Sequence, residues 1–196
     1  MLTARIWGGA MTGIRTIELT GDPLVDGLLW DSLWDGVVTF GFPDSADDFP
    51  DGYGNGEPDQ GFFAISQVQQ AVVRYVLGQV EALTNLEFSY AGAQTADLSF
   101  AQSSLPPTAY ADSPAGGGDV WFGSANDYRS PRVGDLAYVT HFHEIGHALG
   151  LKHPHDVDAS NSTILPSQYD WLGFSVMSYR SYSGAATTGY RNETFG

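Results

Sequence analysis

A chain of 196 residues, 42% hydrophobic and 13% aromatic, suffices for one fair-sized domain or two small lobes around a cleft. Its formal net charge of −15, with only eight Lys and Arg, speaks against nucleic acid and anionic membranes as partners, because both call for clustered positive charge. Cysteine is absent, which excludes disulfides, thiolate ligands and a cysteine nucleophile, and no run approaches the roughly 18 apolar residues of a membrane helix.

Met1 to Thr20 carries no continuous apolar core after its positive charge, so it does not read as a Sec signal peptide. The stretch from Gly27 to Gly36 reads as a helical turn or an aromatic packing strap. Val37 to Phe42 is β-branched and aromatic between Gly36 and Pro43, the pattern of a buried strand. Residues 43–61 are rich in Pro, Asp and Gly and form a loop. Its acids, Asp44, Asp47, Asp48, Asp51, Glu57 and Asp59, do not follow the spacing of a hand-type calcium loop, so a solvated turn is expected. From Phe62 to Leu83, apolar residues recur at three- and four-residue steps through Val68, Val72, Val76 and Val80, which predicts a long amphipathic helix. Short strands are expected at 86–90, 97–101 and 120–122, with an edge strand over Ala109, Tyr110 and Ala111 (108–113 at most). The run Gly116-Gly117-Gly118 is no phosphate loop, since no Gly-Lys-Ser/Thr follows it.

A helix expected from about Asp135 carries His143-Glu144-Ile145-Gly146-His147, continued by Gly150 and His153. Residues four apart share a helix face, so His143 and His147 can aim at one point while Glu144 hangs beside it. Gly150 can take the left-handed conformation that stops the helix and swings His153 back. Three imidazoles at about 2.0–2.1 Å from zinc leave an open position for water, the arrangement of a catalytic site. A lone His-Glu-x-x-His arises by chance; here all five histidines (141, 143, 147, 153 and 155) fall within fifteen residues and three fit the extended motif. Beyond His155 the chain shows little periodicity, which suits an irregular second lobe.

Further on, Ser175-Val176-Met177-Ser178-Tyr179 resembles the Met-turn of the metzincin metalloproteases. With Asp26 to Trp30, Tyr53 to Glu57, Gly118 to Phe122, the zinc motif and the closing stretch 189–196, the chain resembles the protease domain of a serralysin. The resemblance implies an α+β fold of metzincin type: a twisted, mostly parallel sheet with two long helices in an upper lobe (about 1–150) and an irregular lower lobe (about 151–196) around a zinc cleft. It implies one catalytic zinc on His143, His147 and His153, with Tyr179 as an extra ligand, Met177 as an apolar floor, Glu144 as general base and Ala109–Ala111 as the strand that pairs with substrate. It further implies a secreted, extracellular bacterial endopeptidase exported in one step without a Sec signal, acting on protein or peptide substrates and meeting proteinaceous inhibitors. Serralysins continue into Gly-Gly-x-Gly-x-Asp repeats that bind calcium, and this chain has none, so a protease domain alone is expected. Two competing expectations are a proteolytically silent zinc-binding module and a fragment inactive without that C-terminal calcium-binding domain.

Overall fold

A computed structural model describes residues 13–187, so the stretch 189–196 and the start of the chain lie outside the described residues. A small antiparallel sheet comes first, formed by β1 (Gly13–Thr16) and β2 (Ser32–Asp35), with the one-turn helix α1 (Pro23–Asp26) between them. The main sheet is built from β3 (Val37–Gly41), β4 (Phe63–Ala64), β5 (Glu87–Gly92), β6 (Leu98–Ser103), β7 (Ala109–Ala111) and β8 (Val120–Gly123). Two long helices, α2 (Gln67–Leu83) and α3 (Leu136–Ala148), complete the architecture. The order across the sheet is β5-β3-β6-β8-β7, with β4 also paired to β6. β3, β5, β6 and β8 run parallel, whereas β4 and β7 are antiparallel, so this is an α+β fold around a mixed sheet.

Alternate residues of a strand point to opposite faces, and here the two faces carry different covers. On one, Val38, Phe40, Leu98, Phe100, Val120 and Phe122 meet Val72, Val73, Val76 and Leu77 of α2 and Ala137, Ile145 and Ala148 of α3. Each such burial contributes about 1.5–3 kcal/mol, and together they seat both helices on the sheet. On the other face, Ala101 and Trp121 pack with Phe49, Tyr53, Phe62 and Tyr110. That cover is the 43–61 segment, and its role corrects the expectation of a plain solvated turn. Glu57 is fully buried, because the segment must close a sheet face that no helix covers.

The long helix also starts later than its periodicity suggests. Ser66 caps it, accepting from Gln69 N at 3.2 Å while the Gln69 side chain accepts from Ser66 N at 3.0 Å. This capping box ends the strand Phe63–Ala64 and opens the helix at Gln67. Its buried stripe is Gln69, Val72, Val73, Val76 and Leu77, which leaves Val68 and Leu83 exposed. The other expected strands form within a few residues of their sequence positions. β1 was not legible, since Gly13–Thr16 is too short to show a period.

Candidate metal centre

α3 opens where Asp135 accepts a hydrogen bond from Tyr138 N at 2.8 Å. It ends at Gly150, whose φ of +106° is left-handed and whose missing Cβ leaves room for the Ser32 carbonyl. Leu151 N donates back to Gly146 O at 2.9 Å, the reversed bond of a glycine-terminated helix. The chain then runs against the 28–30 strap: Trp30 N donates to Gly150 O at 2.8 Å and Lys152 N to Leu28 O at 2.9 Å. His153 is thereby returned to the helix face that carries His143 and His147.

Each of these histidines spends its Nδ1 on an acceptor. His143 Nδ1 meets Val176 O at 2.8 Å, His147 Nδ1 meets Leu151 O at 2.7 Å, and His153 Nδ1 meets the Asp156 carboxylate at 2.6 Å. A carbonyl or carboxylate brings no proton, so each Nδ1 is the donor and each Nε2 keeps a bare lone pair. The three Nε2 atoms face one another at 3.0, 3.1 and 3.2 Å. Ligands 2.0–2.1 Å from a tetrahedral zinc stand about 3.3 Å apart, so the triangle fits that ion. Without a cation, three facing lone pairs repel. Burial, then the neighbouring imidazoles, push His147 down to about 3, and burial brings His143 to about 4, so both stay neutral and available as ligands.

Glu144 sits beside the triad, 6% exposed, and burial alone pushes its carboxyl up to about 8. A cation at the three nitrogens would favour its ionised form. Met177 is wholly buried beneath the helix, and a Cβ on Gly146 would stand 2.5 Å from its sulfur. The Tyr179 ring lies 4.3 Å from that of His153 and 5.4 Å from that of His143, centroid to centroid. Burial, then Glu144 and Asp156, raise its phenol to about 12. The turn bearing both residues is held by buried Asp170, which accepts from Ser178 Oγ at 2.6 Å and from Arg180 Nε at 2.8 Å.

Two adjoining hollows of about 360 Å3 share Ala109, Glu144 and Tyr179 as walls. One adds Trp30, His147, His153, Asp156 and Asp158; the other adds Thr108, Tyr128, Leu136, Thr140 and His143. β7 thus borders the same cleft as the histidines, Glu144 and Tyr179, whereas Met177 lines neither hollow and lies buried under α3. The two remaining histidines divide: His155 stacks on His153, while His141 is buried against Phe122 with its Nδ1 on Ala137 O. Sequence reasoning missed Gly146, Asp156 and Glu57. A glycine inside a helix was a signal for the first, since it costs about 1 kcal/mol and calls for a packing reason.

His143, His147 and His153 could hold a metal ion, and three nitrogen donors with a buried carboxyl next to them suit a catalytic rather than a structural site. Over most of its length the chain is similar to serralysin-type metalloproteases. It is 33% identical to serralysin A of Dickeya chrysanthemi over 157 residues, 74% of this chain and 32% of that protein. It is 31% identical to serralysin C of the same organism over 85% of this chain, and 29% identical to the serralysin of Proteus mirabilis over 76%. No protein-family model matches the chain. The chain spans about a third to two fifths of the length of these relatives.

Proposed function

We propose that this chain is the protease domain of a secreted zinc endopeptidase, with the cleft between an upper lobe to about residue 150 and a lower lobe from about 151. The observation that carries the reading is the triangle of bare Nε2 atoms beside buried Glu144. Zinc held by His143, His147 and His153 would supply a Lewis acid and bring the pKa of a water toward neutrality. Glu144 is placed to take the proton of an attacking water and to return it to the leaving amine. Tyr179, which would join the three histidines in holding the metal, is placed to donate a hydrogen bond to the oxygen of the scissile carbonyl as it gains charge. Among the described residues β7 is paired on one side only, by β8, and an extended substrate would add as another strand along its other edge.

The test is mass analysis of products from an unfolded protein incubated with the chain, with and without a chelator. New peptide termini that vanish on chelation and return with zinc support the reading. Hydrolysis of esters or simple amides alone, with protein substrates left intact, overturns it.

A further inference from the structure

β7 is three residues long, is paired only by β8 among the described residues, and lies between Pro106-Pro107 and Pro114. Strand alternation puts Ala109 and Ala111 on the helix-covered face and Tyr110 on the other. The second face holds what fixes so short a strand. Tyr110 Oη donates to Glu57 Oε1. The Glu57 carboxylate, with no exposed surface, also accepts from Asn55 N at 2.9 Å and Asn55 Nδ2 at 3.1 Å. A second phenol–carboxylate bond runs the opposite way: Tyr53 Oη of the loop donates to Asp119, beside β8. Asp119 in turn accepts from Ser99 N at 2.8 Å, and its carbonyl takes Asp112 N at 2.9 Å. Further along, Gln60 O accepts from Ser104 N at 2.9 Å and Ser103 Oγ at 2.8 Å. The loop is therefore bonded to the sheet at β7 itself, beside β8 and at the end of β6.

Burying a carboxylate costs free energy unless donors surround it, so Glu57 would be a poor choice if the loop only filled space. What the carboxylate adds is direction, because it holds the Tyr110 phenol at one point and with it the backbone of β7. We propose that Glu57, acting through Tyr110, is a positioning residue that fixes β7 at the height where an extended substrate pairs with it. The inference rests on the endopeptidase reading above.

The test compares Glu57→Gln, Tyr110→Phe and the double variant in the full chain. Substrates are an unfolded peptide long enough to run along β7 and a short chromogenic amide that is not. Each single variant should raise KM for the long peptide about tenfold with kcat nearly constant, and the double variant should add little, since Glu57→Gln weakens and Tyr110→Phe removes the same phenol–carboxylate bond. For the short amide, Glu57→Gln should change kcat/KM less than about twofold, and in each variant backbone amides at 109–112 should exchange hydrogen about tenfold faster. A merely structural role of Glu57 would lower both substrates together. That result, additive single effects, or unchanged exchange at 109–112 overturns the proposal. If Glu57→Gln does not fold, Tyr110→Phe, which lacks one oxygen, carries the same expectations for the long peptide and for exchange at 109–112. If the wild type cuts neither substrate, the endopeptidase reading fails, while the exchange rates still decide whether Glu57 holds the strand.

Discussion

Asp156 reaches His153 Nδ1 at 2.6 Å, and that single contact both fixes the tautomer and turns the ring toward its two partners. Asp156→Ala should weaken zinc binding about 10- to 100-fold, read by competition with a chelator, because outer partners of ligating histidines carry that much affinity. An unchanged zinc affinity would show that the Gly150 reversal alone orients His153. His141 makes the opposite use of burial. It is no ligand, and its pKa is pushed down to about 4 by desolvation, from the 6.5 of an exposed imidazole. At this ring the folded chain holds fewer protons than the unfolded chain between those limits, so the part of the stability that His141 contributes falls as pH drops from about 6.5 to about 4. His141→Phe removes this contribution. Denaturant unfolding should show the variant gaining on the wild type through that window, by up to about 1.4 kcal/mol per pH unit. A stability difference independent of pH would contradict the shift.

At the scale of elements, α3 and the Met177 turn are fitted to each other through Gly146. In an exposed helix, Gly to Ala stabilises by about 1 kcal/mol. Here the added Cβ would meet the methionine sulfur at 2.5 Å, and overpacking costs about 1–3 kcal/mol. Gly146→Ala should therefore lower stability in urea unfolding, and Met177→Ala in the same chain should offset part of the loss. A stabilised Gly146→Ala chain would mean the turn yields freely. The helix itself was legible in full, because its cap, its two histidines and its terminal glycine each sit at a spacing that only a helix explains. The start of α2 was misplaced because Phe62 continues the apolar period, whereas the capping box Ser66-x-x-Gln69 breaks it; the box was readable and outranks the period. The 43–61 loop was misjudged because its Asp and Gly content describes its solvent side. Its buried partners, Trp121 and Tyr110, lie far along the chain and leave no local trace.

For the whole molecule, a sheet with different covers on its two faces lets one edge strand and one helix frame a cleft that the irregular 149–187 segment closes. The three candidate ligands come from the helix and the reversal after it, and the alignment of two of them depends on carbonyls of Leu151 and Val176, which no side-chain pattern encodes. Order among the parallel strands was equally out of reach, since β3 pairs with β5 and β6 across long separations. The family resemblance implied a mostly parallel sheet with Ala109–Ala111 at its edge, and no strand order. The central claim is that His143, His147 and His153 hold one zinc against which Glu144 works as a base. Its most direct measurement is cleavage of unfolded casein by wild type and Glu144→Gln side by side, with zinc content determined on both. The account predicts one zinc per chain in each, cutting by the wild type, and loss of at least about 100-fold in the variant. A variant that keeps its zinc and still cuts at a substantial rate would contradict it.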